Sequence, residues 1–194
     1  MRIPARLIVM LVAALACGCT QRVYSVGTKN PERSVPAGAT TVQVLREPTS
    51  AASEFEEAFE RKLSRVLRDE GYDVVEATAT SHILYYDYST YALMANMRLE
   101  MLAGARKGMT TVRKGGPYVH SLRLTLVETS AESQAPSGRA IVWEGGAVMS
   151  GPTESHKFHD LLIIAAVDQL GKTTADTVVA RMSLNHARAR RLRK

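Results

Sequence analysis

Residues 53–76 read SEFEEAFERKLSRVLRDEGYDVVE, and the change of period inside them decides the fold. Phe55, Phe59, Leu63, Val66 and Leu67 recur at three- and four-residue spacing, which lays one apolar stripe along a helix. Ser53 and Glu56 form the S-x-x-E pattern of a capping box. Glu54, Glu56, Glu57 and Glu60 come early, while Arg61, Lys62, Arg65 and Arg68 come late, so the charges complement the helix macrodipole. Glu57 and Arg61 make a favourable i,i+4 pair. Gly71 supplies the stop. The spacing predicts a helix over 53–70, followed by a strand at Tyr72–Glu76 (YDVVE).

Outward from this unit the pattern is mostly that of strands. Thr41–Arg46 is a β-branched run broken by Pro48-Thr49-Ser50. Ser81–Tyr91 (SHILYYDYSTY) reads as a strand rich in Tyr. Residues 92–114 read as strands joined by a turn, with turn signals at Gly104, Gly108 and Arg113–Pro117. Tyr118–Thr129 alternates, with His120, Leu122, Leu124 and Leu126 on one face and Ser121, Arg123 and Thr125 on the other. Arg139–Glu144 is a strand, and Gly145-Gly146 is a bulge or turn before Ala147–Ser150. Past Gly151-Pro152, Thr153 can cap a last helix carrying Phe158, Leu161, Leu162, Ala165 and Ala166. Ile163, Ile164 and Val167 widen its apolar face, as in a helix buried against a sheet. Val178, Val179 and Met182 extend the helical spacing beyond a break at Gly171. The order implies an α+β domain, a largely antiparallel sheet with two helices packed on one face.

The chain has 194 residues, 45% apolar and 23% charged, the length and composition of one globular domain. The expected organisation is a signal peptide over 1–18, a flexible tether over 19–40, a domain over 41–185 and a basic tail over 186–194. Arg2 and Arg6 precede an uncharged run, Leu7–Ala16, of signal-peptide length and too short to span a bilayer. Ala-Leu-Ala-Cys-Gly-Cys at 14–19 resembles a bacterial lipobox, in which a cysteine is acylated and becomes the mature N-terminus. Cys19 is the favoured lipid attachment site and Cys17 the alternative; a plain secretory signal cleaved after Ala16 is the other reading. Neither candidate cysteine is followed by Asp, which by the same resemblance favours the outer membrane, facing the periplasm. The two cysteines are the chain's full complement, so no disulfide scaffold or cysteine-rich metal site is available to the mature domain. The polar stretch 20–40, with Gly27, Pro31, Pro36 and Gly38, reads as the tether.

The formal charge is +6, from 25 basic and 19 acidic residues. Without Arg2 and Arg6 it is +4, and the tail HARARRLRK alone carries five positive charges. The body is therefore near −1, which excludes a uniformly basic nucleic-acid-binding face. The tail reads first as a solvated, frayed end. Contact with anionic lipid is its second reading. Nucleic acid is a poor third, because the tail has no aromatic side chain for stacking.

No catalytic constellation stands out. His156 and His159 flank a helix start beside Asp160, but they lack the HExxH arrangement and a cysteine ligand, so a polar helix-start cluster is expected and no metal. His82 and His120 lie on strands. There is no GxSxG elbow and no glycine-rich phosphate cradle. The chain is expected to be no enzyme and to need no cofactor. Tyr85, Tyr86, Tyr88 and Tyr91 are the best candidates for a partner surface. Alternation sends Tyr86 and Tyr88 to one face and Tyr85 and Tyr91 to the other, so one pair packs inside and the other is available as interface anchors.

The helix with Phe55, Phe59, Leu63 and Leu67, ending at Gly71-Tyr72-Asp73-Val74 behind a lipobox, is similar to conjugal-transfer lipoproteins of the TrbH and rhizobial TraH type, which accompany type IV secretion systems. Ile83–Tyr88 and Ile141–Gly145 resemble segments of other strand-rich lipoproteins. The resemblance implies a lipid-anchored, non-enzymatic accessory subunit of an envelope machine, with an envelope protein complex as partner. The alternative is a lipoprotein that binds a small or lipidic ligand between sheet and helices.

Overall fold

The computed structural model describes residues 20–33, 35, 40–48, 56–76, 80–92, 99–103, 106–110, 118–129, 140–151 and 158–193. The described residues form an α+β fold with nine strands and three helices. In chain order these are β1 (Thr20–Lys29), β2 (Thr41–Arg46), α1 (Glu56–Asp69), β3 (Asp73–Val74), β4 (His82–Ala92), β5 (Leu99–Ala103), β6 (Arg106–Thr110), β7 (Tyr118–Glu128), β8 (Ala140–Gly151), α2 (His159–Val167), β9 (Val178–Ser183) and α3 (Ala187–Leu192). Seven strands form one mixed sheet in the order β3-β2-β4-β7-β8-β1-β9, and β5 and β6 pair as a separate hairpin. β2 runs parallel to both its neighbours; the other pairings in the large sheet are antiparallel.

Helix α1 follows its sequence signals over Glu56–Asp69; Ser53 of the capping box and Phe55 lie outside the described residues. Phe59, Leu63, Val66 and Leu67 are buried, and Glu56 and Glu57 open the first turn. Gly71 adopts a left-handed φ of 92°. Its N–H donates to the Arg68 carbonyl and that of Tyr72 to the Leu67 carbonyl, both at 3.0 Å. This is a Schellman stop, closed by Tyr72 packing on the core. Helix α2 has no polar face: all nine of its residues are buried. It contacts β8, β1 and β7 on one side and α1 and α3 on others, which accounts for its unbroken apolar run.

The inward residues Leu122, Leu124 and Leu126 of β7, with Leu84 and Tyr86 of β4 and Val23 of β1, share one core cluster with side chains of all three helices. Trp143 of β8 is fully buried. Its indole lies over the cross-strand glycine pair Gly27 and Gly145, and its Nε1 donates to the Lys172 carbonyl at 2.9 Å. A Cβ on Gly145 would sit 2.3 Å from the indole, so the glycine there is a packing requirement. A second, smaller cluster of Tyr24, Val26, Val119 and Val148, with Tyr91 against it, lies on the opposite face.

The structure corrects four expectations. Residues 20–29 are not a tether: they form β1, hydrogen-bonded between β8 and β9. Val23 through Gly27 are buried because both faces of that strand are covered. Residues 178–182 do not prolong the last helix. Gly171 at φ 75° ends the turn after α2, and β9 then pairs with β1. Gly145 and Gly146 are in register within one continuous β8; the irregularity falls instead between Leu126 and Val127 of β7. Finally, the basic segment 186–194 is no frayed end. It contains α3, which buries Ala189 and Leu192.

Candidate functional site

The candidate side chains are distributed by the pleat of β4. Tyr86 and Tyr88 turn toward α1, where Phe59 lies 5.1 Å from the Tyr86 ring and 5.4 Å from the Tyr88 ring. The Tyr86 hydroxyl donates to Glu60 at 2.9 Å. Burial, reinforced by the adjoining Glu60 carboxylate, raises the Tyr86 phenol far above its ordinary pKa, and burial raises that of Tyr88 as well. Tyr85 and Tyr91 turn to the opposite face. Tyr91 accepts a hydrogen bond from Ser89 at 2.9 Å and packs against the small outer cluster. Tyr85 borders a shallow hollow of about 230 Å³ that also contains Asp87, Arg123, Thr125 and Glu144. Arg123 donates to Glu144 at 2.8 Å across it.

Two of the described histidines, His120 and His159, are interior. His120 is fully buried, with Nδ1 3.1 Å from the Tyr88 hydroxyl and 3.2 Å from Thr90 Oγ1. The Phe158 ring lies 4.9 Å from it. His159 is buried edge-on between Tyr88 and Phe59, at 4.3 Å and 5.1 Å. These rings are enclosed by aromatic neighbours, an arrangement that specifies packing between α1, α2 and the sheet. His82, half-buried at the start of β4, has a pKa lowered by burial, with Glu128 opposing. Among the described residues no group of three or more His, Cys, Asp or Glu is arranged to hold a metal ion. His156, Cys17 and Cys19 lie outside the described residues.

A polar centre that the sequence did not reveal sits at Asp160. This carboxylate has no solvent exposure. Lys62 Nζ of α1 lies 2.7 Å from one oxygen and Arg193 Nε, just past α3, lies 3.0 Å from the other. Arg188 at the other end of α3 joins Asp168 at 2.8 Å and Glu70 at 2.6 Å. The basic tail is thus fastened to α1 and α2 by acids at both ends. The i,i+3 pair Ala189 and Leu192 was the available signal, masked by the surrounding arginines.

The corner where β1 begins and β9 ends has a different character. Thr20 lies opposite Ser183, Arg22 opposite Arg181 and Tyr24 opposite Val179. Val23 and Met182 point to the core, so Arg22 and Arg181 share the outer face. Both arginines are exposed, and Val179 beside them is 54% exposed. Neither Arg22 nor Arg181 makes an ion pair among the described residues. A groove of about 850 Å³ runs between α1 and the β2–β3 edge, lined by charges of both signs including Glu57, Arg61, Arg65, Arg68 and Asp69. No described helix is long and apolar enough to cross a membrane.

No family model matches the chain, and no curated protein matches it. Among solved structures it is similar to a PelC dodecamer from Paraburkholderia phytofirmans, at 15% identity and a TM-score of 0.45, over 78% of this chain and 99% of that one. A PDZ domain protein from Parabacteroides distasonis aligns at 11% identity and a TM-score of 0.45, over 90% of this chain and 42% of that one.

Proposed function

We propose that this chain is a lipoprotein held by an acylated cysteine, Cys19 with Cys17 as the alternative, in the outer membrane and facing the periplasm. There it serves as a non-enzymatic assembly or accessory subunit of an envelope machine, in the form suggested by the resemblance to conjugal-transfer lipoproteins. The observation that carries the reading is the position of Thr20. It is the first residue of β1, a strand flanked on both sides. An acyl group on the preceding residue joins the bilayer to the sheet with no slack, so the anchor also orients the domain. Acyl chains contribute ~0.8 kcal/mol per buried methylene, and two or more hold a protein stably on a membrane.

The hollow around Tyr85 supports a role in assembly. It offers an aromatic edge beside Arg123, Asp87 and Glu144 on the face away from the helices, a composition suited to a polar protein interface. The ligand-binding alternative has less support. The layer between helices and sheet is filled by Leu63, Leu84, Leu124, Leu161 and Ile164, all buried, and the larger groove is lined by charges.

Replacing both Cys17 and Cys19 by Ser should abolish palmitate labelling and release the protein to the soluble fraction; retained labelling overturns the anchor. A photo-crosslinking residue in place of Tyr85 should give a discrete adduct with an envelope protein, while one in place of Arg61 gives none. An absence of adduct at Tyr85 removes that face from the proposed assembly.

A further inference from the structure

Arg22 and Arg181 are directly opposed across β1 and β9, on the outer face, and neither has an acidic partner among the described residues. Directly opposed residues of an antiparallel pair have Cβ atoms about 5 Å apart, and like charges there oppose folding. Among the described residues neither is neutralised, whereas Arg33, Arg188 and Arg193 meet carboxylates. Two guanidinium groups held side by side are suited to one anionic phosphate, to which arginine donates in a bidentate fashion.

The location selects the phosphate's source. Arg22 is three residues from Cys19, and Thr20 is opposite Ser183. The exposed Val179 adjoins the pair on the same face. The segment just past α3 is held to the end of β9 by a hydrogen bond from Arg193 to the Leu184 carbonyl. We infer that this corner is a membrane-contact surface in which Arg22 and Arg181 bind the headgroup phosphates of anionic lipid. It is a second, electrostatic signal beside the acyl anchor, and it rests on the lipid-anchor reading above. Acyl and basic signals are known to act together in this way. Here the basic residues come from opposite ends of the chain and are joined only by the sheet.

The test uses the mature acylated protein on vesicles of phosphatidylcholine alone or mixed with phosphatidylglycerol. Phenylglyoxal modification of individual arginines is read by mass spectrometry. Arg22 and Arg181 should react at least about fivefold more slowly on the anionic vesicles, the factor equivalent to one basic residue near a charged surface. The protection should be lost in high salt. Arg61, exposed on α1, should react alike on both. Equal rates for Arg22 and Arg181 on the two surfaces overturn the proposal, and so does equal protection by inorganic phosphate without vesicles, which would make the ligand a soluble anion. The intact mass separates this from the anchor reading. If the N-terminus carries no acyl chain, the anchor fails on its own. The arginine surface is then judged by sedimentation of the same protein with anionic but not neutral vesicles, weakened about 25-fold by R22Q with R181Q.

Discussion

Arg193 Nε lies 3.0 Å from Oδ2 of Asp160, a carboxylate wholly shut off from solvent, and so ties the end of the chain to the first turn of α2. Lys62 holds the other oxygen from α1. Three elements therefore meet at one buried charge. Removing one member of such a group costs more than the group contributes as a whole, because the remaining charges lose their partner without regaining water.

D160N keeps the shape and removes the charge. It should destabilise the fold by about 3 kcal/mol, since Lys62 and Arg193 then face each other uncompensated. Chemical denaturation measures this. Deleting residues 187–194 should destabilise comparably, because it also exposes the surfaces that Ala189 and Leu192 cover. A truncated protein with unchanged midpoint would mean that α3 does not dock.

The glycine beneath Trp143 gives a second prediction. G145A places a methyl group 2.3 Å from the indole and 2.6 Å from the Val26 carbonyl oxygen. Relief requires the ring to leave its site and surrender the hydrogen bond to Lys172. Overpacking of this kind costs about 1–3 kcal/mol. Trp143 is the sole tryptophan, so the emission maximum should move to longer wavelength as the ring is displaced. An unshifted spectrum with wild-type stability would contradict the packing.

Tyrosine ionisation sets an alkaline limit. Tyr72, Tyr86 and Tyr88 all have pKa values raised above 10.0, burial being the first cause in each. The folded state therefore holds these protons more tightly than the unfolded state. Their contribution is fully present below pH 10 and is lost as the pH rises beyond it. Stability should fall steeply above about pH 10, and the fall should be smaller in Y86F. Absorbance titration should show the Tyr72, Tyr86 and Tyr88 phenols ionising above their ordinary range; ionisation of all three at the ordinary value would refute their burial.

The opposed arginines predict an unusual sign. In lipid-free solution, R22Q or R181Q should leave the protein unharmed or stabilise it by about 0.2–1 kcal/mol, the range for cross-strand pairs. Thermal denaturation at low salt measures it, and the gain should shrink as salt is added. A clear loss on either substitution would mean the pair has a structural partner.

What could be read in advance follows from how local each signal is. Helix α1 was legible because its stripe, its charge order and Gly71 all lie within one short stretch and agree. Strand β7 was legible because one of its faces is lined by His120, Leu122, Leu124 and Leu126, all buried. Strand β1 was not. Val23-Tyr24-Ser25-Val26-Gly27 is buried on both faces, so no alternation marks it, and the nearby prolines and glycines suggested a linker. Valines 178 and 179 fell at helical spacing from α2 by coincidence. The same two omissions concealed the arginine corner. Arg22 and Arg181 are unremarkable singly, and they become a pair only through the register of two strands that local pattern missed. The split of the tyrosines between faces was legible, since it depends on nothing beyond the period of a strand.

Strand β1 completes its sheet by pairing with β8 and β9, which are made of residues from the far end of the chain. A polypeptide threaded end first through a narrow channel therefore delivers the middle strand long before the two that flank it. The sheet cannot close around that strand until nearly all of the chain has emerged. Under the export proposed above, late closure would keep the chain extended enough to thread, with β1 still unpaired next to the proposed acylation site. Folding after that export would then wait on the pairing of the two ends, a contact of long sequence separation, rather than on the early helix.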